Sequence, residues 1–180
     1  MPTILTHVAL PLVAAWGLGR SRISPRLAFA GALVAVAPDL DIVGRAFAVP
    51  HYALLGHRGI SHSLLFAAAL ACLAVPFMPA GRRLWSGLFL FAAAASHGLG
   101  DMFTHGSKGI MLWWPLTETR FGWQLQPVEA SGILGRSIAD GSLPGILLSE
   151  FLWLVLPALL LAVLYRRYRR SYIDLAKGQS

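Results

Sequence analysis

Residues 84–103 read LWSGLFLFAAAASHGLGDMF, an apolar run that ends in a histidine and an aspartate. Twenty helical residues span about 30 Å, the thickness of a bilayer's hydrocarbon core. A surface helix of a soluble domain carries a charged face, and no charge occurs between Leu84 and Ser96. The stretch therefore reads as a membrane-embedded helix whose last two turns bring polar groups to the place where the chain leaves lipid.

Four other stretches have the same character: Ile4–Leu18, Leu27–Val43, Leu64–Met78 and Ile146–Tyr165. Helices satisfy their own backbone in lipid, so they are the expected form of each. Composition agrees. Apolar residues make up 56% of the 180-residue chain and charged residues 13%, whereas a soluble domain carries about 25% charged residues. The expected fold is an all-α, polytopic integral membrane bundle of about five transmembrane helices, forming one domain over residues 1–180. Ile4–Leu18 has no basic residue before it and no small-x-small cleavage site after it, so it reads as a retained helix rather than a signal peptide. Cys72 is the only cysteine; it excludes intrachain disulfides and thiolate zinc sites, and its apolar surroundings suggest a packing role.

Charge sets the orientation. The formal net charge is +7, but the basic residues flank apolar segments without interleaved aromatics, which points to anionic headgroups rather than nucleic acid. Arg20, Arg22, Arg26, Arg82, Arg83, Arg166, Arg167, Arg169, Arg170 and Lys177 account for ten of the fifteen basic residues. With five spans these regions share one side. The positive-inside rule then places the N-terminus outside, the 104–145 connection on the non-cytoplasmic side, and residues 166–180 in a basic cytoplasmic tail. Fifteen-residue helices cover only about 22 Å, so the outer half of the bundle should hold a recessed polar pocket. The long connection carries Trp113, Trp114, Phe121 and Trp123; it reads as an interfacial aromatic belt, a lid over the pocket, or both.

On this topology four helices deliver imidazoles and carboxylates to one side. His7 opens the first helix. Asp39 and Asp41 close the second, within Pro38-Asp39-Leu40-Asp41. His57 and His62 precede the third, within His57-Arg58-Gly59-Ile60-Ser61-His62-Ser63. His97 and Asp101 close the fourth, and His105 follows. His97 and Asp101, four apart, share a helical face. Ser61 is expected to cap the third helix, and Pro11 to free the carbonyl of His7. Ionisable residues inside a bundle are costly and mark functional sites. Mixed His and Asp donors suit one or two divalent ions, zinc first, with manganese or iron as alternatives.

At these residues the chain resembles the YdjM-type family of bacterial inner-membrane proteins, described as predicted membrane-bound metal-dependent hydrolases. The resemblance runs through Thr6-His7, Pro38-Asp39-Leu40-Asp41, His57 to Ser63, His97 to Asp101 with Thr104-His105, and Trp114-Pro115-Leu116. It implies an inner-membrane location and a metal set of His7, Asp39, Asp41, His57, His62, His97 and Asp101. The expected activity is metal-dependent hydrolysis of an ester or phosphoester in a lipid or lipid-linked substrate. Asp41, Glu118 and Glu129 are candidates for a general base, and Arg58 and Arg120 for holding an anionic group. The competing reading is a non-enzymatic, metal-stabilised scaffold or an ion transporter. Transport is disfavoured because transporters place their sites near the midplane.

Overall fold

A computed structural model of the chain describes residues 1–131 and 134–177. Residues 132–133 of the long connection and 178–180 of the basic tail lie outside the described residues. Every regular element among the described residues is helical, and the only extended pairings are isolated bridges. The helices are α1 (Ile4–Leu18), α2 (Pro25–Val36), α3 (Leu64–Ala74), α4 (Arg83–Met102), α5 (Leu134–Ala139), α6 (Leu143–Glu150) and α7 (Leu156–Lys177).

Local chemistry explains where they start and stop. Ser24 caps α2 by accepting the Leu27 N–H at 3.2 Å, and Pro25 occupies the first turn, where its missing N–H costs nothing. Pro38 clashes with continued α-helix, and the chain tightens into a 3₁₀ run over Ala37–Phe47. Thus the second apolar stretch changes pitch where Asp39 and Asp41 occur. Ser63, not Ser61, caps α3, accepting the Phe66 N–H at 3.1 Å; Ile60–His62 forms a separate 3₁₀ turn. Between α6 and α7 lies a π-helical turn, Phe151–Val155. It precedes Pro157, whose ring the wider turn accommodates.

Helix α4 is central and packs against α1, α2 and α3, while α7 packs on α1. Leu90 and Ala94 of α4 are buried with Leu27 and Val34 of α2, Ala15 of α1, and Ala67 and Ala71 of α3. Small residues let these helices approach closely, as in other membrane bundles. A Cβ on Gly17 would lie 2.7 Å from Ala162 Cβ, and one on Gly31 2.6 Å from the Phe89 ring. Gly17→Leu is therefore expected to separate α1 from α7 and cost about 1–3 kcal/mol. A thermal unfolding midpoint in detergent should fall, and Ala162→Gly in the same chain should restore part of it.

Among the described residues, two helical stretches are long and apolar enough to cross a bilayer, Pro25–Gly44, of 20 residues, and Leu143–Tyr172, of 30; α4, with His97 and Asp101 in its last turns, is not one of them, and five spans are not shown. Ile4–Leu18 and Leu64–Phe77 are apolar but shorter. Trp16, Phe29, Leu33, Leu73, Phe77 and Leu161 face outward, an arrangement suited to lipid. Cys72 also faces outward rather than packing in the core.

The long connection is fastened rather than loose. Ile110, Met111, Leu112 and Val128 are buried. Ile110 and Phe121 exchange backbone hydrogen bonds, Met111 N–H donates to the Arg58 carbonyl at 3.2 Å, and Leu64 N–H donates to the Leu112 carbonyl at 3.0 Å. Trp123 stacks on Phe103 at 5.2 Å, and both Trp113 and Trp123 remain half exposed.

Candidate metal centre

The loop between the 3₁₀ run and α3 is shaped by two glycines. A Cβ on Gly59 would lie 2.1 Å from the Leu54 carbonyl oxygen, and one on Gly56 2.3 Å from that of Pro50. Only glycine allows this coil, which lays His57, Arg58, Ser61 and His62 against the ends of α2 and α4. Arg58 adopts φ +65°, a left-handed conformation uncommon outside glycine and often found at functional sites. Gly98 completes the fit, since a Cβ there would meet the His62 carbonyl oxygen at 2.9 Å.

Four elements then bring their donors together. His62 Nε2 lies 3.1 Å from His97 Nε2, His97 Nε2 lies 3.3 Å from Asp39 Oδ1, and His62 Nε2 lies 3.4 Å from Asp101 Oδ2. Donors on a tetrahedral zinc, with bonds near 2.0 Å, are separated by about 3.3 Å. His7 stacks on His97 with ring centroids 3.8 Å apart, and its Nε2 is 3.8 Å from Asp101 Oδ1. Among the described residues, three donor groups each bring one ligand atom per residue within 4.8 Å of one another: His7 with Asp39 and His97, Asp39 with His57 and His62, and His62 with His97 and Asp101. The groups overlap, and Asp39 belongs to two of them.

The unpartnered atoms are the most informative. Among the described residues, both ring nitrogens of His7, Asp39 Oδ1 and Asp101 Oδ1 are buried without a hydrogen-bond partner. Such atoms are rare in folded proteins and call for an explanation; here Asp39 Oδ1 faces His97 Nε2, and His7 Nε2 faces Asp101 Oδ1, within the same cluster.

The rest of the hydrogen bonding aims lone pairs at that spot. His97 Nδ1 is 2.7 Å from the Ala35 carbonyl, which can only accept, so Nδ1 carries the proton and Nε2 is the free lone pair. Asp41 plays the same part for two histidines. Its Oδ1 is 2.7 Å from His57 Nδ1, and its Oδ2 accepts from Ser61 Oγ at 2.6 Å and lies 3.3 Å from His62 Nδ1. Ser61 Oγ also lies 2.9 Å from His62 Nδ1. This is the carboxylate–histidine pattern that orients metal ligands from behind. Asp41 also accepts the Arg58 N–H at 3.1 Å, so both of its oxygens are engaged. Burial pushes the His62 imidazole down, but the hydrogen bonds and charges of Asp101 and Asp41 outweigh it and raise its pKa to about 9; the metal-free ring therefore carries a proton on Nε2, which a cation bound there would displace. Asp41→Asn is expected to weaken metal affinity about 10- to 100-fold without removing a ligand atom; competition with a chelator would measure it.

The remaining candidates divide. Arg58 is buried, donates from Nε to Asp101 Oδ2 at 2.8 Å and from Nη1 to Ser107 Oγ at 2.7 Å, and keeps Nη2 unpartnered. Arg120 reaches backbone instead: its guanidinium donates to the Arg58 carbonyl at 3.0 Å and, more weakly, to those of His57 and His51. Glu118 and Glu129 are exposed, and the Glu129 carboxylate faces Gly145. Helix α4 ends at Met102, which leaves His105 exposed beyond it.

Sequence reasoning missed the backing residues Ser61 and Ser107 and the Ala35 carbonyl, which carry no signal by residue type. It also missed Glu150, whose buried carboxylate accepts from Thr3 N–H, Thr3 Oγ1 and Thr6 Oγ1 and so fixes the start of α1 just before His7. A lone acid inside the apolar stretch Ile146–Tyr165 was the available clue.

The chain matches the family described as YdjM inner membrane protein over residues 1–173. It is 39% identical over 168 residues to inner membrane protein YbcI of Escherichia coli (strain K12), covering 89% of this chain and 95% of that protein. No solved structure matches. The chain belongs to the YdjM family of inner membrane proteins.

Proposed function

We propose that this protein is a membrane-bound, metal-dependent hydrolase acting on an ester or phosphoester in a lipid or lipid-linked substrate. Its site lies at the non-cytoplasmic ends of about five spanning helices, with the N-terminus outside and the C-terminus cytoplasmic. The observation that carries the reading is the convergence of unpartnered buried atoms of His7, Asp39 and Asp101 on the His62–His97 pair. Each such atom costs about 1–3 kcal/mol if left unsatisfied, and a cation would engage Asp39 Oδ1, Asp101 Oδ1 and one of the two His7 nitrogens together.

The donor set of imidazoles and carboxylates fits zinc, with manganese or iron as alternatives. His62, His97, Asp101, Asp39 and His7 would hold the first ion; His57 with the shared Asp39 would complete a second. A bound metal lowers the pKa of its water to about 7 and polarises the attacked oxygen. The chain's own residues do the rest. Asp41 and Ser61 fix the imidazoles. Arg58, with an unpartnered Nη2, is suited to bind a phosphate oxygen. Arg120 braces the loop that carries Arg58. Asp39, the more exposed carboxylate of the cluster, marks the side from which a substrate enters.

Burial favours a second reading, a closed structural metal centre: His7, His97 and Asp101 are at most 1% exposed. Metal-loaded protein in nanodiscs, assayed against ester and phosphoester lipids, separates the two. The hydrolase reading expects turnover that disappears in His57→Ala and Asp39→Ala. No turnover across the panel, with a coordinatively saturated metal, establishes the structural centre instead. For the topology, reporter fusions after Arg83 and Tyr172 should read cytoplasmic and one after Ser107 external. A cytoplasmic Ser107 fusion overturns the orientation.

A further inference from the structure

The end of the bundle opposite the metal cluster carries an unbalanced charge. Ten basic residues flank the helices there, and Asp174 is the only acidic residue in the same three regions of sequence. Among the described residues, no ion pair involves any of these arginines, since every one recorded contains Arg58 or a histidine. Among the described residues, these arginines thus present a cationic surface suited to an anionic partner.

The arginines also line a cavity. A concavity of about 630 Å³ opens between the α1–α2 turn and the start of α4, with Arg22, Arg82 and Arg83 in its wall beside Ser21 and Trp85. Two of the three are held in place: Arg22 donates to the Tyr165 hydroxyl, and Arg82 donates from Nη1 to the Ser21 carbonyl at 2.8 Å. A guanidinium has five N–H donors, so both keep donors for a further acceptor.

Two apolar grooves share wall residues with this cavity, one on each side of α4. One, of about 330 Å³, lies between α1, α4 and α7 and runs from Trp85, which it shares with the cavity, to Ser96. The other, of about 340 Å³, lies between α3 and α4 and runs from Arg83 and Leu84, likewise shared, to Phe91. The ridge between them is Leu88, which lines both. A cationic cavity thus adjoins two apolar grooves of nearly equal size.

We propose that this surface is a binding site for an anionic diacyl phospholipid, with its phosphate among Arg22, Arg82 and Arg83 and its two chains straddling α4. Guanidinium groups match phosphate oxygens by their paired N–H geometry. The paired grooves match a two-chain lipid, which a free phosphate or a single-chain amphiphile leaves partly unfilled. The site is distinct from the metal cluster and does not depend on its chemistry.

Native mass spectrometry of the full chain released from nanodiscs of phosphatidylglycerol and phosphatidylcholine, mixed equally with identical chains, tests the assignment. Wild-type protein should retain phosphatidylglycerol in preference. Arg82→Gln with Arg83→Gln should weaken its retention by about fivefold per arginine, the weight of one basic residue at an anionic surface. Arg82→Lys with Arg83→Lys keeps the charge and should retain most of the preference; a Gln variant that fails to fold leaves this comparison and the wild-type ratio standing. Lyso-phosphatidylglycerol should bind more weakly than the diacyl form, and inorganic phosphate should not displace the lipid at millimolar concentration. Equal retention of the two lipids overturns the headgroup assignment. Equal binding of the lyso lipid removes the paired grooves from it, and displacement by phosphate reduces the site to an anion pocket.

Discussion

Replacing His97 with alanine is expected, on the proposed metal centre, to leave the purified protein without bound divalent metal while it stays inserted in the membrane. His97 belongs to two of the three donor groups, and its Nε2 lies within 3.3 Å of His62 Nε2 and Asp39 Oδ1. Loss of residues that merely orient ligands costs about 10- to 100-fold in affinity, so loss of a ligand this central should reduce metal content to a tenth or less. The Ala35 carbonyl also loses its partner, a penalty of about 1–3 kcal/mol, so a lowered unfolding temperature accompanies the loss. His105→Ala, exposed beyond the end of α4, should change neither quantity. Elemental analysis of the two variants beside wild type makes the comparison. Full occupancy in His97→Ala removes that residue from the site.

Asp101→Ala should be the more destabilising change. Asp101 is fully buried and pairs with Arg58 Nε at 2.8 Å. Removing one member of a buried pair strands the other charge, at a cost of about 3–5 kcal/mol. A second substitution, Arg58→Met, removes the stranded charge, so the double variant should unfold at a higher temperature than Asp101→Ala alone. The same double variant should still lack metal, which separates the stabilising role of the pair from the ligand role of Asp101. An unchanged unfolding temperature in Asp101→Ala contradicts the buried pairing.

The helices were legible because lipid imposes a crude rule: long apolar runs without charge. Ile4–Leu18 coincides with α1, and the apolar run Leu84–Phe103 lies within one residue of α4 at each end although α4 carries Arg83 and Asp101. The change from α-helix to 3₁₀ winding at Ala37 was not visible as such, although Pro38 marks where it happens. Ser61 and Ser63 are equally good caps by type; backbone geometry selected Ser63 and left Ser61 to hold Asp41 and His62.

The side of the bundle on which the histidines and aspartates meet could be read from the arginines. The division of labour among them could not. Asp39 and Asp41 look interchangeable in sequence, yet Asp41 has both oxygens engaged by neighbouring donors while Asp39 Oδ1 is left unpartnered. Arg58 and Arg120 look alike as well. The left-handed backbone at Arg58 turns its side chain to Asp101, whereas Arg120 ends on carbonyls. These distinctions depend on contacts between residues far apart in the chain, which spacing alone does not encode.

The central claim is that histidines and aspartates of four segments hold one divalent centre, and X-ray absorption at the metal edge of the purified wild-type protein tests it most directly. The account predicts stoichiometric metal with a first shell of nitrogen and oxygen only, at about 2.0–2.2 Å for zinc, and outer-shell scattering from at least two imidazoles. Protein that stays metal-free after purification in metal-replete buffer, or a shell without imidazole, would contradict it.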